Sequence, residues 1–567
     1  MDYDVAPRRF LDVRLVGVIV VLVLAWGGMG FRLWVVQAAQ AEEFAEKGLS
    51  QRLQREVLAA DRGTIFDRDG RELAVTVDAT TVYANPLEIA DPDAAARTLA
   101  PLLGKSPVDL ARKMSEDASF VYLARQLDRE VGELVREADI TGVYLLDEPR
   151  RTYPLADVAA HVVGFVRTDD NAGLEGLEAY YDAELTGTPG ELLVERDPYG
   201  RTIPQGEYSV VPAQPGADLV LTIKAEIQYA AHQALVGALG RTGAASGSIV
   251  VLDAASGDVL AMVNLPTFDP NDRSDLTPEA VRNRAVTDLF EPGSTQMLVS
   301  VAGALLDELV RPHTTFDIPR RIEILDTVFE DITVHPDALT VTEIVAYSSN
   351  LGTILLAEEL GIRSLHQWLF SFGEGSPTGI DFPGEAGGVL RAPEDWCATT
   401  CLAGTSIGYH VSVTPLQMAM AYAIVANDGR WVQPHLVDEI VDGAGVRSAV
   451  RPLERRVLSE QTSSQLRIML EAVVEEGTGG LASVPGYRVG GKTGTTRKFI
   501  AETGAYSEDD VVASFVGMAP IEDPQIIVAV VLDTPQEDAS GGKGAAPVFA
   551  EVMRAALNQL GVPPDGR

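Results

Sequence analysis

Lysine is scarce in this chain of 567 residues: Lys47, Lys105, Lys113, Lys224, Lys492, Lys498 and Lys543 are the only ones, and the other 38 of its 45 basic residues are arginine. None lies between Lys224 and Lys492, so chemistry in that stretch that needs an amine must borrow one from outside it. Cysteine is scarcer still. Cys397 and Cys401, in WCATTC, are the only two, and with seven histidines they cannot assemble a Cys-rich zinc framework. They read as a redox pair, half a metal site or two small buried residues, and the last is the expectation. A disulfide four residues apart would be strained inside a helix, whereas a loop in an oxidising compartment would permit one. Positive charge is also short: 82 acidic residues against 45 basic ones leave a net charge of −37, which repels phosphates and excludes nucleic acid as a partner. There is no internal repeat or low-complexity tract, and 46% hydrophobic content with 22% charge excludes disorder. No metal or other cofactor is expected.

One long apolar run stands near the N-terminus. Arg8, Arg9 and Arg14 precede the uncharged stretch Leu15 to Phe31, Arg32 follows it, and LWVVQ extends its apolar length. The arginine at 32 can snorkel, so the segment is long enough for ~30 Å of hydrocarbon. Basic residues before the run and Glu42 and Glu43 after it put the N-terminus in the cytoplasm by the positive-inside rule. Ala39-Gln40-Ala41 resembles a signal-peptidase site, but the run is longer than a usual signal core, which favours an uncleaved anchor.

After a polar stretch from Ala38 to about Leu58, AADRGTIFDRDGRELA supplies a turn between short apolar strands. Residues from about 92 to 140 read as helical, with SPVDLARKM opening on Ser-Pro and DREVGELVREA carrying apolar residues at helical spacing. GADLVLTI near 216 opens a new block, and SIVVLDAASGDVLAMV reads as a hairpin. ASFVGMAP and QIIVAVVLD are further strands, the second apolar enough to lie centrally in a sheet covered on both faces. The closing helix carries an apolar stripe of Val548, Phe549, Val552, Met553, Ala556, Leu557 and Leu560 before Gly561 and Pro563. Strands at both ends with helices between them predict an α+β domain whose sheet joins N- and C-terminal segments.

Three short motifs carry the chemistry: FEPGSTQM ending at Met297, YSSNLGT around Asn350, and GGKTGTT around Lys492. Singly they are common; their order and spacing match the S-x-x-K, S-x-N and K-T-G series of penicillin-binding proteins and β-lactamases. The chain resembles class B penicillin-binding proteins along nearly its whole length: at RGTIFDRDG (Arg62 to Gly70), RTYPLADVAAHVVGF (Arg151 to Phe165), GLEGLE (Gly173 to Glu178), LPTFDPN (Leu265 to Asn271), NRAVTDLFEPGST (Asn283 to Thr295), SVTPLQMAMAYAIVANDG (Ser412 to Gly429) and SFVGMAP (Ser514 to Pro520). The resemblance implies a cytoplasmic tail over 1–14, a transmembrane helix over 15–37, a mixed α/β pedestal over 38–215 and a transpeptidase domain of β-lactamase-like fold over 216–567, with an antiparallel sheet, flanking helices and an all-helical part.

Pro292-Gly293 favours a sharp turn into a helix starting at Ser294, whose N-terminal dipole and free N–H groups would stabilise developing negative charge. Ser294 is the candidate nucleophile. A serine hydroxyl needs a base within reach, and the residue one helical turn on shares its face. The family has lysine there; this chain has Met297, of similar length but unable to accept a proton. General-base catalysis contributes ~10²–10⁴-fold, so acylation is expected to be impaired. The resemblance assigns Ser348, Asn350 and Lys492 to the catalytic set, Lys492 lying against Ser348, and Thr493, Gly494 and Thr495 to substrate binding. Lys492 is the one lysine the family fold brings to the cleft, and a relay through Ser348 would need its pKa lowered. Backbone N–H groups of Ser294 and Thr495 would form the oxyanion hole. His410 reads as a polar loop residue, and Lys224, where the family has aspartate, is assigned no role.

Two functions follow. One is a member with an impaired acylation site that acts by contact with a polytopic membrane glycosyltransferase. The other is a working D,D-transpeptidase that cross-links stem peptides, and takes β-lactams, through Ser294 with Lys492 as relay base. Hydrolysis of β-lactams would need a deacylation base that no motif supplies.

Overall fold

The computed structural model describes residues 9–58, 60–195, 203, 208–325, 327–500 and 504–565. They belong to two compact units, Met1–Asp61 with Gly187–Pro215, and Arg62–Thr186 with Gly216–Arg567.

In the first unit the helix Arg9–Trp34 runs into a wider π-helical turn, Val35–Ala39. Its apolar part, Val13–Ala39, spans 27 residues with a mean hydropathy of 2.1 and buries none of its most apolar window. At 1.5 Å per residue that is about 40 Å, more than a hydrocarbon core requires. The polar stretch after it is not irregular: it forms the helix Ala41–Arg52 and the strand Leu53–Leu58, which pairs antiparallel with Gly190–Glu195.

In the second unit a six-stranded sheet takes strands from both halves of the chain, in the order Arg447–Ala449, Val437–Val441, Asp218–Leu221, Ile65–Phe66, Glu72–Val77, Arg150–Thr152. Beside it Glu178, fully buried, accepts from Arg62 Nε and Arg151 Nε, both at 2.7 Å. The RGTIF, RTYPL and GLEGLE segments therefore meet in one buried ion network, where removing one partner would strand the others' charge. Next come helices Pro92–Leu103 and Pro107–Lys113, but the expected helical stretch is broken: Val121–Asp128 is a strand pairing with Ala79–Ala84, and Arg129–Glu137 resumes the helix. Tertiary pairing overrides local periodicity there, because Leu123 and Ala124 are buried beneath the helices and the partner strand satisfies the backbone.

The main sheet is antiparallel throughout, with strand order Val259–Leu265, Ser246–Asp253, Ile526–Asp533, Ala505–Ala519, Gly490–Ile500. As expected, the QIIVAVVLD strand is central. Its Val528, Val530 and Leu532 face the helices Ala225–Thr242 and Ala546–Gln559, while Ile527, Ala529 and Val531 face the helical part. In that part Met297–Leu306 and Pro415–Ala426 are buried nearly all round, which is why neither shows an amphipathic pattern.

The two cysteines correct the expectation. Cys397 and Cys401 form a disulfide with Cα atoms 5.0 Å apart. Only Cys401 is buried; Cys397 is exposed and precedes the helix Ala398–Ser406, so the bond runs from a loop to the first helical turn and escapes the mid-helix constraint.

Candidate active site

The first motif enters its helix through a tight 3₁₀ turn, Gly293–Gln296, and the α-helix begins at Met297. The sequence places the helix start at Ser294; the tighter turn precedes it because Gly293 has φ +56°. Gly408, at φ +87°, lies against this turn so closely that a Cβ there would sit 2.2 Å from Gly293 O. Two side chains hold the turn, Thr295 Oγ1 donating to Pro292 O at 2.7 Å and Tyr422 OH to Thr295 O at 3.0 Å, while Ser300 Oγ ties the following helix to Ser406 O at 2.8 Å. Ser294 is half-buried amid buried neighbours.

Met297 is fully buried, packed with Ile354, Ala403 and Ile407 and flanked by Ile322, Ile324, Phe329 and Tyr409. Its sulfur lies 3.8 Å from Ser348 Oγ. Ser348 ends the helix Val341–Tyr347 in a left-handed conformation, φ +60°. From the sheet edge Lys492 Nζ donates to the same hydroxyl at 2.8 Å and to its own strand at Thr493 O, 3.3 Å. Met297, Ser348 and Lys492, which come from three separate motifs, thus meet at one oxygen. Burial alone lowers the Lys492 amine to about 7, and no carboxylate offsets it.

Thr493 Oγ1 pairs with Thr478 Oγ1 at 2.9 Å, and Thr495 Oγ1 accepts from Gly541 N at 3.0 Å. At Gly494 a Cβ would stand 2.4 Å from Ser514 Oγ and 2.7 Å from Pro292 O, so the strand can lie against the nucleophile turn only as glycine. Asn350 is turned elsewhere: its Nδ2 donates to Glu330 O at 3.2 Å. His410, at φ +63°, donates its backbone N–H to Glu291 Oε1 at 2.8 Å, and burial followed by Arg391 lowers its imidazole pKa. Glu291 also accepts from Tyr506 OH at 3.0 Å, and burial raises its carboxyl. Lys224 is a structural cation, 2.8 Å from Asp69. That lysine, Arg71 on Glu226 and backbone N–H groups on Asp67 make an ion network of the one close carboxylate cluster among the described residues.

Sequence reasoning missed several supporting residues. Asp331 accepts from Ser349 Oγ at 2.7 Å and Leu351 N at 3.0 Å, and pairs with His335 Nε2 at 2.7 Å, holding the second motif from a loop with no motif of its own. Thr478 carries no local signal either, and Tyr422 lies within the family-like 412–429 segment without being singled out by it. A cavity of about 370 Å³ lined by Glu291, Thr496, Arg497 and Arg284 adjoins the motifs but does not include Ser294 or Lys492 in its wall.

A serine on a tight helix-entry turn, a second serine shared with a buried amine, and a Thr-Gly-Thr strand edge form the layout of a serine acyl-transfer site. Residues 247–554 match the penicillin binding protein transpeptidase domain, and residues 57–221 match the penicillin-binding protein dimerisation domain. The chain is 33% identical to Stage V sporulation protein D of Bacillus subtilis, covering 98% of this chain and 86% of that protein. To peptidoglycan D,D-transpeptidase FtsI of Escherichia coli it is 33% identical, covering 95% and 90%. Penicillin binding protein 3 from Mycobacterium tuberculosis complexed with aztreonam superposes with a TM-score of 0.71 at 30% identity, covering 90% of this chain and 98% of that one. The chain belongs to the class B penicillin-binding proteins, the bitopic D,D-transpeptidase family of peptidoglycan synthesis. With its N-terminal apolar helix it is a single-pass membrane protein of that family.

Proposed function

We propose that this protein acts in peptidoglycan synthesis with an impaired acylation step at Ser294, and that it works chiefly by contact with a polytopic membrane glycosyltransferase through its anchor and the 38–215 pedestal. One observation carries the reading: the residue one turn after Ser294 is Met297, fully buried in an apolar cluster where a proton acceptor is needed. Ser348 at its helix end, facing Lys492, and the strand edge carrying Thr493, Gly494 and Thr495 support a grip on a stem peptide or β-lactam. The N-terminus lies inside and the bulk of the chain outside the cytoplasm; the arginines before the apolar run support this, and so does the disulfide, which persists in oxidising compartments.

A second reading has its own support. Lys492, 2.8 Å from Ser348 and lowered by burial to about 7, is half-deprotonated near neutral pH and so is chemically able to accept a proton through that hydroxyl. Labelling with a fluorescent penicillin separates the two. Acylation of the unaltered protein at ordinary speed, lost in Ser294→Ala, rejects the impaired reading. Labelling that appears only in Met297→Lys supports it, and retention of the polymerase by Ser294→Ala in co-purification supports the contact role.

A further inference from the structure

Directly behind the nucleophile turn sits a buried polar pair that no motif announces. Gln296, the last residue of the 3₁₀ turn, is 0% exposed and Glu374, in the loop after the helix Ile362–Ser371, is 1% exposed. Gln296 Nε2 donates to Glu374 Oε1 at 2.8 Å. The other two polar atoms of the pair, Gln296 Oε1 and Glu374 Oε2, are both buried and have no donor from any other described residue.

An ionised carboxylate only accepts, so it would leave both atoms unsatisfied and a charge buried beside an amide oxygen. A protonated carboxyl carries one O–H. Placed on Oε2 and aimed at Gln296 Oε1, that hydrogen would satisfy both orphans in a single bond. We propose that Glu374 is held as the neutral acid and closes a cyclic acid–amide pair with Gln296, Oε2–H donating to Gln296 Oε1, which makes Glu374 a positioning residue for the turn that carries Ser294. The inference stands whether or not Ser294 is acylated.

The surroundings agree. Burial raises the Glu374 carboxyl to about 8; only the Gln296 amide pulls the other way, and no charged group contributes. The groups that reach the same loop and turn are neutral or at the surface. Gln417 Nε2 donates to Gly373 O at 3.4 Å, the Tyr422 hydroxyl, kept protonated by burial, donates to Thr295 O, and Arg455, exposed, donates to Ser371 O at 2.6 Å.

Infrared spectroscopy of the full chain in detergent, near neutral pH, tests the proposal. A protonated carboxylic acid carbonyl band should be present, should disappear in Glu374→Gln, and should shift in Gln296→Leu, where the acid loses its amide partner. Glutamine at 374 reproduces the cyclic pair without a titrating proton. The unaltered protein should therefore lose thermal stability relative to Glu374→Gln as the pH rises from about 5, just above the unfolded carboxyl, to about 8. Amide exchange across 293–297 should be unchanged in Glu374→Gln and at least about 10-fold faster in Glu374→Ala. Identical infrared spectra for the unaltered protein and Glu374→Gln, or parallel melting curves across that pH range, would overturn the proposal. Should Glu374→Gln fail to fold, an unshifted band in Gln296→Leu overturns it as well.

Discussion

Ser348 Oγ stands between two side chains: Lys492 Nζ at 2.8 Å and Met297 Sδ at 3.8 Å. An amine at the methionine position would contact the same hydroxyl and neighbour Ser294 along its helix. The thioether there packs in the apolar cluster and is itself no proton acceptor.

Replacing Met297 by lysine would put an amine one turn from Ser294 and so tests the proposed impairment. The expected gain in acylation is about 10²–10⁴-fold, read as the rate of fluorescent-penicillin labelling at Ser294. The same change puts an amine among Ile354, Ala403 and Ile407, so thermal stability should fall while labelling rises. No gain in labelling from a folded Met297→Lys protein would show that something other than this base limits the site.

Any residual labelling of the unaltered protein should depend on Lys492. Its amine must be neutral to accept a proton, so the rate should climb as pH passes upward through about 7 and vanish in Lys492→Met. Stability has the same sign. The folded amine is depressed below the unfolded value near 10.4, so the unfolded chain binds the extra proton between about pH 7 and 10. Over that window the buried lysine should let stability rise with pH relative to Lys492→Met, as followed by chemical denaturation.

Gly408→Ala should destabilise the nucleophile turn. The position has φ +87°, and the new Cβ would lie 2.2 Å from Gly293 O, a backbone atom that cannot swing aside. Overpacking of this kind costs about 1–3 kcal/mol, and the positive φ adds about 1 kcal/mol. A control at Gly445, where a Cβ meets nothing within 4 Å, should cost only the conformational part. Equal melting temperatures for the two variants would contradict the predicted clash.

Asp331→Ala should loosen the second motif, since one carboxylate serves Ser349, Leu351 N and His335. The expected loss is about 1–3 kcal/mol. Burial lowers the His335 pKa, but the Pro336 carbonyl and Asp331 outweigh it and the net shift is upward. A raised histidine stabilises fully below its unfolded value near 6.5, and that contribution is lost as pH rises through the folded value. The deficit of Asp331→Ala should therefore shrink at high pH, and a deficit that grew with pH would refute the pairing.

Long uniform patterns were legible without coordinates: the apolar N-terminal run, the central QIIVAVVLD strand and the stripe of the last helix. The strand Val121–Asp128 was not, because its partner Ala79–Ala84 lies some forty residues earlier and local periodicity contains no information about pairing. The disulfide was hidden for a related reason. Its feasibility turns on whether Cys397 sits inside the helix or just before it, a difference of one residue at a boundary.

The sequence alone determined which functional groups exist: a serine after Pro-Gly, a methionine three residues on, and a single lysine between residues 225 and 497. Spacing within one helix follows from chain geometry, so the absence of a base one turn from Ser294 needed no fold to be seen. Only the tertiary structure decided which groups share a dry space. Lys492 and Ser348 are 144 residues apart, and Gln296 and Glu374 are 78 apart. Their proton affinities depend on burial, and burial belongs to the packed chain as a whole and to no segment of it.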